Sequence, residues 1–393
     1  MPHFPATEAP NLRQMLTGLI ATPSVSSLKP EWNQSNRPLM ELLAGWLQDA
    51  GFRVEMLDIP GHPDKANLVA TLGSGGGGLV LSGHADTVPY DAQLWQYDPL
   101  KLSEDGGRLY GLGTSDMKAF LGLAIDAARG LSSSDLKRPL TILATADEES
   151  AMLGARALVE AGRPFGQYAV IGEPTGLRPV RMHKGVMGEA VRLTGRSGHA
   201  SDPSLGNNAL EGMHEVLGEI LAWRDHLQRE HANPLFPICF PTVNLGHIHG
   251  GDNPNRICGN CELHLDLRPL PGQNPAELRA ELARRVAAVA ERRALDWQVE
   301  ALFPSVPPAE TDAGSTIVRA AEALTGHPAE AVSFGTELPF FNRLGMQTLV
   351  LGPGDVAQAH QPDEYLALDR IEPTLTLLRR LIRRFCVDPE SAG

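Results

Sequence analysis

Long apolar runs are missing from this sequence of 393 residues, and no stretch approaches the roughly 20 residues that a membrane-spanning helix needs. Cysteine is scarce, since four residues in a chain of this length do not make a disulfide framework. Basic charge is not in excess either, because 34 Lys and Arg stand against 47 Asp and Glu, for a net charge of -13. A nucleic-acid-binding surface needs a basic face. We therefore expect neither a membrane protein nor a nucleic-acid-binding protein.

The first five residues lack the basic segment and the apolar core of a secretory signal peptide. Together with the low cysteine content, this favours a cytoplasmic protein. Hydrophobic residues make up 42% of the chain and charged residues 21%, which is typical of a soluble globular protein. The length exceeds what one core usually organises, so we expect two domains.

Apolar periodicity predicts an α/β domain with an insertion. Over the first part of the chain, strands are expected at 52–58, 67–72, 79–83, 139–146 and 168–172, and helices at 11–23, 37–50, 116–130 and 151–161. This alternation favours a central mixed sheet flanked by helices.

The pattern changes after residue 182. Its elements become strand, helix, strand, strand, helix and strand, at 186–194, 208–229, 242–248, 257–268, 275–293 and 296–302. This order predicts a small α+β unit. The first pattern then resumes, with a helix at 314–325, strands near 331–334 and 347–351, and a helix at 370–385. We therefore assign 1–182 and 303–393 to one domain and 183–302 to an inserted domain.

Two motifs receive structural interpretations. Cys258 and Cys261 have the spacing of half a zinc ribbon or a redox pair, but no second cysteine pair completes four ligands. The alternating apolar residues around Cys261 favour cysteines packed in a strand. The glycine-rich run at 73–78 lacks the Lys-Ser/Thr of a phosphate loop, which predicts a flexible turn.

Two adjacent carboxylates, Glu148 and Glu149, follow the apolar run 140–146, which is typical of a buried strand. If both are ionised near a core, they repel each other unless a cation or protons offset the charge. Most such pairs are solvated surface. This pair lies at a strand end, where α/β sheets bind their ligands, and it therefore indicates a functional site.

Other metal-competent side chains also lie at element ends. His84 and Glu173 follow strands, Asp116 begins a helix, and His360 lies in a late polar loop. Taken singly, Asp116 is better explained as a helix cap and His84 as a structural histidine. Taken together, they allow two ions about 3.5–4 Å apart, with a water or hydroxide between them. His84 and Glu173 would bind one ion, Glu149 and His360 the other, and Asp116 would bridge them.

Histidine and carboxylate ligands without thiolates suit Zn²⁺, Co²⁺ or Mn²⁺. Asp86 follows His84 by two residues and is placed to hold the other imidazole N–H. Glu148 remains free to accept the proton of an activated water as that water attacks a carbonyl, and to deliver it to the leaving amine.

These residues stand in motifs that resemble those of the di-zinc aminoacylase/carboxypeptidase clan of metallohydrolases, and the resemblance covers nearly the whole chain. The motifs are Gly83-His84-Ala85-Asp86, Gly113-Thr114-Ser115-Asp116-Met117-Lys118, Asp147-Glu148-Glu149, Gly172-Glu173-Pro174-Thr175 and Ala359-His360-Gln361-Pro362-Asp363-Glu364. Segments of the insertion resemble the acetylornithine deacetylase family within the clan, among them Ser197-Gly198-His199 and Asn255-Arg256-Ile257-Cys258.

The resemblance implies a catalytic domain interrupted by a lid, and a homodimer formed through the lids. It implies the five metal ligands His84, Asp116, Glu149, Glu173 and His360, with Glu148 as the general base. It further implies that His199 stabilises the oxyanion, often in the partner subunit's site. Asn255 and Arg256 would hold the substrate's carboxylate.

The implied activity is hydrolysis of N2-acetyl-L-ornithine to ornithine and acetate, in arginine synthesis. Neighbouring specificities stay open at this stage: acetylcitrulline, acetyl-lysine, succinyl-diaminopimelate or a dipeptide. A more remote alternative, a non-catalytic ligand-binding protein with the same fold, also stays open. The group that binds the substrate's side-chain ammonium could be Asp252, Glu337 or Glu364. The family often has a cis peptide after the bridging aspartate, here Asp116–Met117, which sequence alone does not decide.

Overall fold

The structure is a computed structural model that describes residues 10–389. The first five residues, which gave the expectation of no signal peptide, lie outside this range. The chain divides into two compact units. The first takes residues up to Arg181, Thr311–Glu330 and residues from Thr336 onward, and the second takes Met182–Glu310 and Ala331–Gly335. Between residues 10 and 389, no helix combines the length and the apolar character needed to cross a membrane.

The helices and strands follow the predicted alternation, with several short additions. The α-helices are α1 (Leu12–Ala21), α2 (Arg37–Asp49), α3 (Lys118–Ala127), α4 (Leu153–Ala161), α5 (Ala209–Glu230), α6 (Pro275–Arg292), α7 (Thr316–Thr325), α8 (Leu338–Arg343) and α9 (Ile371–Ile382). The strands are β1 (Arg53–Ile59), β2 (His62–Leu72), β3 (Leu79–His84), β4 (Ser103–Asp105), β5 (Arg108–Tyr110), β6 (Leu140–Thr145), β7 (Tyr168–Ile171), β8 (Val180–His183), β9 (Met187–Thr194), β10 (Thr242–Gly250), β11 (Asn260–Arg268), β12 (Asp296–Ala301), β13 (Ala309–Glu310), β14 (Glu330–Val332), β15 (Gln347–Val350) and β16 (Tyr365–Ala367).

The sheet of the first unit is mixed and runs in the order β1-β2-β6-β3-β7-β15-β8. β6, β3, β7 and β15 are parallel to one another, whereas β1 and β2 are antiparallel to their neighbours. Every residue of β3, β6 and β7 is buried, as expected for strands covered on both faces. The predicted mixed sheet flanked by helices is confirmed.

Parallel register brings three chain segments to one edge of this sheet. His84 pairs with Thr145, and Ser82 pairs with Ile171. The residues that follow β3, β6 and β7 therefore emerge side by side at the carboxyl ends of the strands. In open α/β sheets this is the edge at which ligands bind.

The second unit has a four-stranded antiparallel sheet in the order β10-β11-β9-β12. Alternate residues of β11 are buried in a core shared with α5 and α6, among them Leu263 and Leu265. The predicted order of strands and helices is confirmed. Cys258 and Cys261 are free, buried members of this core, which agrees with the packed interpretation.

The sequence missed the shortest elements. A three-stranded sheet, in the order β16-β5-β4, was not among the predicted elements. Its strands are three residues long, too short for an alternating pattern to be counted. The second unit also contains Met182, residues 303–310 and Ala331–Gly335, which the sequence assigns to the first domain. In this unit Val332 O accepts a hydrogen bond from Lys184 N at 3.2 Å.

Candidate metal centre

His84 ends β3 and is only 1% exposed. Its Nε2 atom lies 3.0 Å from Asp116 Oδ1 and 4.0 Å from Glu173 Oε2. Burial alone would lower the pKa of His84, but the hydrogen bond with Asp116 and the nearby carboxylates raise it well above its usual value. The imidazole therefore lies in a strongly negative environment that favours a cation.

Asp116 lies between two histidines. While its Oδ1 atom faces His84, its Oδ2 atom lies 3.6 Å from His360 Nε2. The same His360 atom is 3.0 Å from Glu149 Oε2, and this contact raises the pKa of His360 to about 9. A carboxylate whose two oxygens face different imidazoles has the geometry of a bridging ligand.

Glu148 and Glu173 complete the group. Ligand atoms of His84, Glu148 and Glu173 lie within 4.8 Å of one another, and so do those of His84, Asp116 and Glu149. Burial, together with the neighbouring Glu173 carboxylate, raises the pKa of Glu148 well above its usual value. Glu173 Oε1 is buried and has no hydrogen-bond partner among residues 10–389. An unpaired buried carboxylate oxygen is costly unless a cation or proton satisfies it.

The residues fit a pair of divalent cations. Two imidazoles and four carboxylates converge, and no thiolate of residues 10–389 takes part. The buried and unpaired Glu173 Oε1 atom suits a positively charged partner. Such oxygen and nitrogen donors match ions of the Zn²⁺ class rather than soft-metal or iron–sulfur centres. The sequence-predicted ligands are thus brought together by the structure.

The Asp86 side chain binds the backbone of Glu148 and Glu149. Its carboxylate accepts hydrogen bonds from Glu148 N at 3.2 Å and Glu149 N at 3.0 Å. The sequence placed this carboxylate against the imidazole of His84. In the structure the nearer atom to His84 Nδ1 is the Asp86 backbone oxygen at 3.0 Å, with the carboxylate at 3.7 Å. Burial raises the pKa of Asp86 to about 6.

A buried ion pair stabilises the turn that leads into Glu148 and Glu149. Lys65 Nζ lies 2.6 Å from Asp147 Oδ1 and donates to Asn33 Oδ1 at 2.9 Å. Asp147 adopts a left-handed backbone conformation with φ of 53°. Sequence reasoning missed Lys65, because a single lysine in a polar stretch gives no signal of its buried partner.

The segment before α3 contains a cis peptide bond and is followed by a buried lysine. The Asp116–Met117 peptide is cis. α3 begins only at Lys118, so Asp116 lies in the loop and is not the helix cap. Burial lowers the pKa of Lys118 to about 7, and its Nζ donates to Thr22 O at 2.9 Å.

The three carboxylates that could bind the substrate's side-chain ammonium differ in their burial and in their hydrogen-bond partners. Glu364 is 1% exposed and its oxygens already accept backbone N–H groups, so it is not free to bind a substrate cation. Burial raises the pKa of Glu364 to about 8. Glu337 is fully buried, accepts from Thr145 Oγ1 at 3.0 Å and has a pKa raised by burial to about 7. Asp252 is exposed and pairs with Arg256 at 2.8 Å.

The remaining predicted residues lie together in the second unit. His199 and Arg256 form an isolated β-bridge, and Ala200 N donates to Asn255 O at 2.9 Å. His199, Asn255 and Arg256 are all exposed. His199 Nδ1 lies 2.7 Å from Ser201 Oγ, which orients the ring.

Comparison with known proteins agrees with this geometry. The chain is 49% identical over 377 residues to the acetylornithine deacetylase of Pasteurella multocida, which covers 96% of this chain and 98% of that protein. It is 50% identical over 380 residues to the acetylornithine deacetylase of Edwardsiella ictaluri, with 97% and 99% covered.

Solved structures share the fold at low identity. A tripeptidase from Staphylococcus aureus gives a TM-score of 0.72 at 18% identity, covering 95% of this chain and 97% of that one. An M20 family metallo-carboxypeptidase from Sulfolobus solfataricus gives a TM-score of 0.73 at 16% identity, and the match covers 95% of this chain and 99% of that one. Residues 80–384 match the model of peptidase family M20/M25/M40. The chain belongs to peptidase family M20/M25/M40.

Proposed function

We propose that this chain is a metal-dependent amidohydrolase that removes the acetyl group from N2-acetyl-L-ornithine, giving L-ornithine and acetate for arginine synthesis. The observation that carries the reaction type is the position of Asp116 between His84 and His360, with Glu148 beside them. The choice of substrate follows from about 50% identity, over nearly the full chain, to two acetylornithine deacetylases.

In this proposal two divalent ions are held by five side chains. His84 and Glu173 would hold one ion, Glu149 and His360 would hold the other, and Asp116 would be shared between them. Zn²⁺ or Co²⁺ suits these donors best, and Mn²⁺ is also compatible. When bound, the ions polarise the substrate's carbonyl and lower the pKa of water in the site toward about 7.

Glu148 moves the proton. Its backbone N–H is fixed by Asp86, and its side chain lies within 4.8 Å of ligand atoms of His84 and Glu173. Glu148 accepts a proton from the attacking water and delivers it to the amide nitrogen, so that the C–N bond breaks and the amine leaves. A carboxyl whose pKa is raised by burial holds that proton between the two steps.

Three residues of the second unit carry the proposed substrate contacts. His199 would donate to the oxyanion, in the site of the partner subunit, and Asn255 and Arg256 would bind the substrate's carboxylate. Arg256 would exchange its exposed partner Asp252 for the substrate. The protein is cytoplasmic and dimerises through this unit. β10 supports that role, because it is an edge strand of the sheet and carries Ile248 at 48% exposure.

A panel of N-acyl amino acids tests the proposal. Metal-free protein is loaded separately with Zn²⁺, Co²⁺ or Mn²⁺ and given N2-acetylornithine, acetylcitrulline, acetyl-lysine, succinyl-diaminopimelate or a dipeptide. We expect the highest kcat/KM on N2-acetylornithine, with loss of activity after chelation and recovery after metal is restored. A higher kcat/KM on another substrate would overturn the assigned specificity alone. Absence of metal-dependent hydrolysis across the panel would overturn the enzyme class as well.

A further inference from the structure

Glu364 lies four residues after His360, in the loop between β15 and β16, yet its carboxylate contacts a different segment of the chain. Its Oε1 atom accepts hydrogen bonds from Ser115 N at 2.7 Å, Asp116 N at 2.9 Å and Gly113 N at 3.1 Å. Gly113 N also lies 3.1 Å from Oε2. The side chain is 1% exposed. One buried carboxylate therefore receives the backbone donors of the loop that carries Asp116.

These N–H groups have no strand ladder or helix to satisfy them, because residues 113–116 lie between β5 and α3. Buried backbone donors need an acceptor, and the oxygens of the Glu364 carboxyl group provide it here. The loop is also tightly packed. A Cβ atom at Gly113, where φ is 88°, would lie 3.0 Å from the Lys118 side chain. The position of Asp116 thus depends on Glu364 more than on regular secondary structure.

The same residue connects two of the proposed ligands. The Glu364 backbone oxygen accepts from Gly111 N at 3.0 Å, which fastens the loop of His360 to the loop of Asp116. Ser115 Oγ, which accepts from Asp355 N at 2.9 Å, makes a second fastening between the two loops. His360 Nε2 and Asp116 Oδ2 face each other at 3.6 Å across this junction.

We propose that Glu364 is a positioning residue of the metal centre. It fixes the backbone of Asp116 so that the two carboxylate oxygens face His84 and His360, and it holds the His360 loop against that backbone. This inference rests on the proposed ligand roles of Asp116 and His360. Glu364 acts through Asp116 and contacts neither ion nor substrate.

Two substitutions separate this role from general stability. Glu364→Gln keeps the size of the side chain, but its amide group replaces one acceptor oxygen with a donor. Glu364→Asp keeps both carboxyl oxygens but is one methylene shorter. We expect both variants to bind Zn²⁺ about 10–100-fold more weakly than wild type, the usual effect of removing a partner behind a metal ligand. Activity should recover in part when metal is supplied in excess.

The readout is calorimetric titration of the metal-free full-length chain with Zn²⁺, with the visible absorption of added Co²⁺ as a second signal. Glu189→Gln is the matched control. Glu189 is another fully buried carboxylate, paired with Arg279 in the second unit. We expect this control to lower the unfolding temperature while leaving Zn²⁺ affinity unchanged.

Wild-type Zn²⁺ affinity in folded Glu364→Gln would overturn the proposal. If that variant does not fold, Glu364→Asp decides the matter in the same way. The test of Glu364 can succeed or fail independently of the test of the proposed substrate. A wild-type protein that binds two ions but does not hydrolyse N2-acetylornithine would contradict the substrate and leave the role of Glu364 intact.

Discussion

Burial determines how single side chains titrate in this protein, also away from the metal centre. His183 is fully buried, and its Nδ1 atom lies 2.7 Å from Lys184 O. Within the part of the chain that the structure describes, its Nε2 atom has no hydrogen-bond partner. The neutral ring can donate from Nδ1, whereas a second proton would have no acceptor. Burial accordingly lowers the pKa of His183 to about 4.

This shift makes stability depend on pH. The unfolded chain binds a proton at His183 below about pH 6.5, whereas the folded chain does so only near pH 4. The stabilisation is therefore complete above about pH 6.5 and is lost as pH falls toward 4. Between pH 7 and 4.5, we expect wild type to lose about 2–3 kcal/mol more unfolding free energy than His183→Asn. The asparagine can donate to the same carbonyl but does not titrate.

Urea denaturation of the metal-free proteins at the two pH values measures this difference. Since both proteins share every other titrating group, the comparison isolates position 183. Equal losses of unfolding free energy in the two proteins would contradict the assignment of His183 as a buried neutral histidine.

At the scale of elements, the turn after β6 presents both Glu148 and Glu149. Asp147 begins the turn in a left-handed conformation, and Lys65 of β2 neutralises its carboxylate in the interior. The side chains of both partners are almost fully buried, at 0% and 4% exposure. Removing one partner of such a pair leaves an uncompensated buried charge.

Lys65→Met should therefore lower the free energy of unfolding by about 3–5 kcal/mol. The double variant Lys65→Met/Asp147→Asn removes both charges and should regain part of that loss. Denaturant titration of the metal-free variants measures both effects. A single variant within 1 kcal/mol of wild type would show that the ion pair does not hold the turn.

The sequence could predict which strand ends carry His84, the Glu148-Glu149 pair and Glu173, because long apolar strands are visible in local periodicity. It could not predict the contacts that fix those residues. Lys65 and Asp147 are 82 residues apart in the chain, and Glu364 and Asp116 are 248 apart. Such contacts arise from tertiary packing, which no local pattern encodes. The sequence alone therefore allows Glu364 to be a substrate ligand, because its hydrogen bonds to the Asp116 loop are visible only in the structure.

At the scale of the whole molecule, the metal centre joins distant parts of the first unit. Its side chains come from β3, the loop before α3, the turn after β6, the segment after β7 and the loop after β15. Four carboxylates repel one another there until cations or protons are present. Metal binding is therefore coupled to the stability of this unit, since ions that bind only the folded site stabilise it by mass action.

Glu148, acting beside a pair of metal ions, is the proposed general base of amide hydrolysis. Its role can be measured as the rate of ornithine release from N2-acetylornithine by Glu148→Gln, together with the metal content of the variant. We expect two retained metal equivalents and a rate reduced by about 10²–10⁴-fold, the usual contribution of a general acid–base group. A wild-type rate in this variant would show that Glu148 is not the general base.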